Sequence, residues 1–193
     1  MVLLIREASI VDANDRVATW HRHSDPVPRV QARFAYELVE VLPASKYGAT
    51  VGVAIVGNPC GRPADPNIIE LRRVAFKPNE NFGHCRRWYP GDQRNHEISL
   101  RNIPTVINAG DLYVLTMVAP REIPSMFVDV ATELVRKRMP HMHTIWTYTH
   151  ASEKGTYLEK AGYDCDHHFT RRGIAKRRYA RTTTQPTKLT NQN

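Results

Sequence analysis

Between Asp111 and Tyr163 the chain reads as strand, loop, helix, strand and helix, an order that restricts it to α/β architectures with a crossover connection. The run Leu112-Tyr113-Val114-Leu115-Thr116-Met117-Val118 is almost uncharged and rich in β-formers, as a strand covered on both faces would be. It stops at Ala119-Pro120-Arg121-Glu122-Ile123-Pro124. Pro124 suits a helix's first turn, where its missing N–H costs nothing, and Phe127, Val130, Ala131, Leu134 and Val135 then recur at helical spacing. Arg136, Lys137 and Arg138 match the negative end of that helix's dipole, and Pro140 closes it. His143 to Thr149 supplies another strand, followed by a short helix from about Ser152 to Ala161 with Gly162 as its cap. The spacing predicts a parallel pair, 112–118 beside 143–149, joined by the one crossover helix.

The first half reads as mixed elements. Met1 to Ile5 forms a first strand, too short for a signal-peptide core. Ser9 N-caps a helix whose Ile10, Ala13, Val17 and Trp20 share one face, ending in a loop forced open by Pro26 and Pro28. Phe34 to Leu42 and Thr50 to Val56 make a hairpin, and Ile68 to Phe76 another strand. Between about 77 and 110 the pattern dissolves into an irregular insertion, longer than ordinary connections and suited to a binding segment or a lid.

The formal net charge of +8 is concentrated at one end. Arg171, Arg172, Lys176, Arg177, Arg178, Arg181 and Lys188 face no acid after Phe169, so that segment carries +7. This reads as a domain over residues 1–168 and a basic tail over 169–193, partly disordered, that either contacts phosphate backbones or is simply solvated. Twenty consecutive apolar residues occur nowhere, so no membrane span is expected, and Cys60, Cys85 and Cys165 lack CxxC spacing and read as reduced thiols.

Four segments stand in order: His21-Arg22-His23 with Pro26-Val27-Pro28; Gly52-Val53-Ala54-Ile55-Val56-Gly57 leading to Arg62-Pro63; Glu70-Leu71-Arg72-Arg73-Val74; and Thr147-Tyr148-Thr149 through Ser152-Glu153-Lys154-Gly155 to Ala161-Gly162-Tyr163. In that order they resemble the GNAT superfamily of acyl-CoA-dependent acyltransferases, and within it the Mom-like DNA-modification branch of phages and prophages. The resemblance covers most of residues 10 to 165. It implies a mixed α/β sheet whose central parallel strands splay apart, with flanking helices and acetyl-CoA in the gap. It also implies a double-stranded DNA partner whose adenine exocyclic amine receives an acyl-derived, carbamoylmethyl-type group that protects against restriction nucleases in a bacterial cytoplasm. Two other functions stay open: N-acetylation of a small amine, and non-catalytic DNA binding. A homodimer is an open option.

Two departures from the resemblance are visible. The glycine-rich turn that usually holds the CoA pyrophosphate is here Pro120-Arg121-Glu122-Ile123-Pro124-Ser125, leaving Val118, Ala119, Arg121 and the N–H groups of Ser125, Met126 and Phe127 as cofactor candidates. The acid tyrosine of many GNAT enzymes corresponds to Leu158, with Tyr157 one residue earlier and therefore rotated by roughly 100°.

Candidate chemistry falls on five residues. His21 and His23, on the proline-bounded loop, suit a base or a metal ligand such as for iron; a cage would need His84, Cys85 or Cys60 as well. Arg72 and Arg73 alternate on a strand, so one should face the cleft and hold a carboxylate, phosphate or base edge. Ser152 is either an N-cap or catalytic, and Tyr157 is the acid candidate. Asp164-Cys165-Asp166-His167-His168 reads as an exposed strand rather than a metal site. In the insertion Arg86, Arg87 and Trp88 suit DNA contact and stacking, beside the tail cations Arg171, Arg172, Lys176, Arg177, Arg178 and Arg181; an exposed solubility loop is the alternative.

Overall fold

The computed structural model describes residues 2–20, 25–41, 48–61, 63, 65–78, 105–109, 112–116 and 120–182. Nine strands form one mixed sheet: β1 (Val2–Glu7), β2 (Ala32–Val41), β3 (Ala49–Gly57), β4 (Ile68–Phe76), β5 (Thr105–Ala109), β6 (Leu112–Thr116), β7 (Thr144–His150), β8 (Asp164–Arg171) and β9 (Ile174–Thr182), in the spatial order β5-β6-β1-β2-β3-β4-β7-β9-β8. Three helices flank it: α1 (Ile10–Trp20), α2 (Ile123–Arg138) and α3 (Thr156–Lys160), with a 3₁₀ turn at Pro120–Glu122 before α2. Among the described residues no helix is long and apolar enough to cross a membrane.

The two faces of the sheet carry separate cores. Ala13 and Val17 of α1 meet Ala35, Val53, Ile55 and Ala75 on one face. The Ser9 hydroxyl accepts the Val11 N–H, as the N-cap reading expects. On the other face α2 sets Phe127, Val130, Ala131, Leu134 and Val135 against Leu3, Ile5, Leu38, Ile69 and Ile145. These are the periodic positions of the sequence. The second cluster is larger and anchors the crossover helix, with Phe127 edge-on to Phe76 at the far end of β4.

The strand entering this crossover differs from the expected one. β6 pairs antiparallel with β1 and β5, at the opposite end of the sheet from β7. The parallel partner of β7 is β4. An apolar run gives the strand but not its neighbour, because pairing depends on which edge the chain reaches after the long connection. That connection, read as irregular to 110, contains β5.

β4 and β7 are hydrogen-bonded only at Ile68↔Thr144, Ile69↔Ile145 and Glu70↔Trp146. Beyond these pairs β4 runs on to Phe76 beside β3 and β7 runs on to His150 beside β9, so the two strands part into a wedge. A bulge starts the divergence. Ile55 opposes Arg73 and Val56 opposes Leu71, which leaves Arg72 as the extra residue of β4 and bends that strand locally.

Residues 169–182, expected to be a tail, are sheet. β9 pairs with β7 along its length from Thr144↔Thr182 to His150↔Lys176, and β8 closes the hairpin. Charge density misled that reading: alternate positions of a strand can hold arginines wherever one face is solvated or supplies acids. α3 likewise starts later than expected, behind Gly155 in the left-handed conformation. A side chain at Gly155 would collide with the Tyr179 ring and hydroxyl, so only glycine fits there.

Candidate active site

The wedge opens into a cavity of about 490 Å³. Its first wall is β4, with Glu70, Arg72, Arg73 and Val74; its second is β7, with Thr147, Tyr148, Thr149 and His150. Asp25 and Cys60 close one side, Glu153 and Tyr157 another, and the β8–β9 turn brings Arg171, Arg172 and Lys176 to the mouth.

Glu70 is the chemical centre of the β4 wall. It stands in an apolar run, is 2% exposed, and accepts the Cys60 N–H at 2.5 Å. Arg72 Nη1 lies 3.8 Å from the same carboxylate oxygen. Burial pushes the Glu70 carboxyl up from its ordinary range, against the opposing pull of the Cys60 N–H and of Arg72. A carboxylate whose pKa is raised is a stronger base than an ordinary one.

Arg72 and Arg73 both reach the cavity, where strict alternation would have sent them to opposite faces. The bulge at Arg72 breaks the alternation. Arg72 donates from Nη1 to the Asn58 carbonyl at 2.6 Å, whereas its buried Nε has no hydrogen-bond partner among the described residues. Arg73 donates to the carbonyls of Asp25 (3.1 Å) and Arg72 (2.6 Å). Burial, and then the neighbouring Arg72 charge, lower the Arg73 pKa.

Across the wedge the groups are hydroxyls and rings. Thr149 is 5% exposed, and its Oγ1 is buried without a partner among the described residues. Tyr148 packs edge-on to Phe169, and burial followed by the Glu70 charge raises its phenol pKa. Tyr157 lines the cavity even though it stands one position from the family's tyrosine, because α3 is short and begins late. Leu158, at the family position, is fully buried in the core. Burial pushes the Tyr157 hydroxyl pKa far up, which keeps its proton in place as a donor.

Other expected site residues separate into three groups. His21, His23, His84, Cys85, Arg86, Arg87, Trp88, Val118 and Ala119 lie outside the described residues. Ser152 is exposed in the turn after β7, neither capping α3 nor among the described residues lining the cavity. Its distance in sequence from the late helix start removes the capping role.

On α2 the Ser125 hydroxyl donates to the Glu122 carbonyl at 2.8 Å, Phe127 is fully buried and Met126 packs against the core. Those side chains are thus committed to the helix and the core. Only backbone N–H groups of the first turn remain for a ligand there, with Arg121 exposed beside them.

The hairpin cations also divide. Arg181 donates to Asp129, Glu133 and the Ala161 carbonyl, tying β9 to α2 and α3. Arg178 lies over the Trp146 ring and pairs bidentately with Asp166. Arg177 is half-buried, with Nη1 donating to the Glu153 carbonyl. Arg178 and Arg181 are thus engaged by local acids, a ring and a carbonyl, whereas the Arg177 Nε is buried without a hydrogen-bond partner among the described residues. Arg171, Arg172 and Lys176 stay at the mouth.

Among the described residues no group of three or more His, Cys, Asp or Glu is placed to hold a metal. Cys165 and His168 lie 3.4 Å apart on β8 as a pair only.

Sequence reasoning did not single out Glu70, Tyr148 and Thr149 as cavity residues, and weighed Cys60 only as a metal ligand. Glu70 carried a usable signal, since a lone acid inside Ile68-Ile69-Glu70-Leu71 demands a reason. The other three carried none, being ordinary strand and turn residues.

This splayed mixed sheet, with α1 on one face and the crossover helix on the other, is the GNAT acetyltransferase fold. Solved structures bear it out. The aminoglycoside acetyltransferase AAC(6')-Ib, in complex with ribostamycin and coenzyme A, is similar with a TM-score of 0.55 at 13% identity, covering 93% of each chain. A GNAT-family acetyltransferase from Streptococcus pneumoniae matches with a TM-score of 0.52 at 12% identity, over 94% of this chain and 99% of the other. The ribosomal-protein-S5-alanine acetyltransferase from Vibrio fischeri matches at 0.54 and 9% identity, over 93% and 92%. No protein-family model and no curated protein sequence matches the chain.

Proposed function

We propose that this protein transfers an acyl group from an acyl-CoA, acetyl-CoA being the simplest, to an amine bound in the wedge between β4 and β7. The observation that carries this reading is the pair Glu70 and Tyr157 lining one cavity, a raised carboxyl and a phenol that keeps its proton. AAC(6')-Ib, which shares the fold, is solved with coenzyme A and acetyl-CoA.

The residues present fit such a donor. The diverging strands leave the facing edges of β4 and β7 unpaired, Thr149 offers a buried hydroxyl, and the first turn of α2 offers N–H groups beside Arg121. Acyl-CoA would supply an activated thioester. Glu70 would take the proton from the acceptor nitrogen, and the Tyr157 hydroxyl would supply one to the departing thiolate. Arg72 and Arg73 add positive charge to the β4 wall.

Titration calorimetry with acetyl-CoA and a CoA-release assay over a panel of amines test this. Heat of binding and turnover that falls in Glu70→Gln and Tyr157→Phe support it; absence of acetyl-CoA binding overturns it.

A second reading takes the amine to be the exocyclic nitrogen of adenine in double-stranded DNA, with a carbamoylmethyl-type product. It is supported by the family resemblance and by Arg171, Arg172 and Lys176 at the mouth of the wedge. Its test is nucleoside mass spectrometry on the genomic DNA of a bacterium expressing the protein; unmodified adenine in the presence of soluble protein rejects it. Removing everything after Phe169 would not isolate DNA affinity, because it deletes β9 from beside β7. Alanine at Arg171, Arg172 and Lys176 is the appropriate change.

A further inference from the structure

The charges of the cavity do not balance. Among its described lining residues five are arginine or lysine and three are carboxylic acids. Arg72 stands at the deepest part of this excess, 7% exposed. Its partners are a carbonyl at 2.6 Å and the Glu70 carboxyl at 3.8 Å, too long for a hydrogen bond. The neighbouring Arg73 is fixed by two carbonyls, which hold its guanidinium without cancelling its charge.

A buried guanidinium with an unpartnered Nε is a donor waiting for an acceptor, since buried polar groups in folded proteins are satisfied by something. Guanidinium geometry favours a planar or tetrahedral oxyanion over a single carbonyl. Across the wedge the Thr149 Oγ1 is likewise buried without a partner among the described residues, and both residues line the cavity.

We infer that Arg72 binds an oxyanionic substituent, a carboxylate or a phosphate ester, of the acceptor, so that the cleft selects amines carried by anionic molecules and rejects polycationic ones. The inference rests on the acyl-transfer reading and adds the class of acceptor to it. Arg72 is then a specificity residue: it sets which amine is held beside Glu70. The positive mouth formed by Arg171, Arg172 and Lys176 draws the same class of molecule inward.

The test uses the full chain with acetyl-CoA and four acceptors: β-alanine for a carboxylate, phosphoethanolamine for a phosphate ester, ethanolamine as the neutral match, and kanamycin as a polycation. The expected result is a kcat/KM about tenfold or more higher for an anionic acceptor than for ethanolamine, with kanamycin poorest. Whichever anion ranks first identifies the source. In Arg72→Gln the anionic-to-neutral ratio falls close to one, chiefly through KM, and in Arg72→Lys part of it survives. Ethanolamine or kanamycin ranking first in the wild-type protein overturns the inference, as does an unchanged ratio in folded Arg72→Gln. If that variant does not fold, the wild-type ranking and Arg72→Lys decide.

A second measurement separates this inference from the reading beneath it. Phosphoethanolamine is titrated into ¹⁵N-labelled protein while the arginine Nε–H resonances are followed, with ethanolamine as control. If acetyl-CoA fails to bind and no acceptor is acylated, the acyl-transfer reading falls; a saturable shift of the Arg72 Nε–H with the anion alone still upholds the anion site. No shift removes it.

Discussion

The two walls of the wedge treat charge in opposite ways. On β4, Glu70, Arg72 and Arg73 are brought together by a bulge, with burial raising the Glu70 pKa and an Arg72 Nε left without a partner among the described residues. On β7 and its neighbour β9, arginines are consumed: Arg178 by Asp166 and Trp146, Arg181 by Asp129 and Glu133. A guanidinium bonded closely to a local acid is committed to the fold, whereas Arg72 lines the cavity with its Nε unpartnered among the described residues. Counting cations along the chain therefore misjudges where the working charge lies.

The largest effect that would break this contrast is at Glu70. Glu70→Gln should lower kcat/KM by about 10²- to 10⁴-fold, as loss of a general base does. In the wild-type protein activity should rise with pH on a limb lying above the ordinary glutamate value, because the base must be ionised and its pKa is raised. The stability sign runs the other way: a carboxyl whose folded pKa is raised contributes stability that is complete at low pH and lost as pH climbs through that pKa. Glu70→Gln should flatten this loss in thermal melts taken across pH. A variant that keeps both activity and its pH limb would show that the β4 wall is structural too.

Next in size is the support of the β7 side. Gly155→Ala places a Cβ against Tyr179 at a left-handed position and should destabilise by about 2 to 4 kcal/mol in denaturant melts, with Tyr157 displaced from the cleft. Arg181→Ala removes ties to two acids and a carbonyl, and should cost about 2 kcal/mol with much less effect on KM. An Arg181→Ala protein of unchanged stability would remove the claim that this cation is committed to the fold.

Smallest are the mouth residues. Arg171→Ala combined with Arg172→Ala should change stability by less than about 0.5 kcal/mol, since both are exposed and outside the cores. If DNA is the acceptor, the pair should reduce the slope of log affinity against log salt by about two, read from titrations at several salt concentrations. An equal slope would show that the mouth, like Arg178 and Arg181, does not contact phosphate.

Local pattern alone determined a good part of this protein. The periodic apolar face of α2, the Ser9 cap of α1, the β2–β3 hairpin and the left-handed Gly162 follow from spacing and side-chain type, because helix and strand periods are fixed by backbone geometry. Arg72 and Tyr157, both named as candidates from the sequence, line the cavity.

What only the tertiary structure decided are the relations between elements. That β4 rather than β6 lies beside β7, that the bulge turns Arg72 and Arg73 into one cavity, and that β9 uses Arg178 and Arg181 as struts all depend on contacts between residues distant in the chain. Strand pairing and burial are properties of the whole packing. An isolated run such as Ile68-Ile69-Glu70-Leu71 carries the acid, but only the sheet around it buries that acid and raises its pKa.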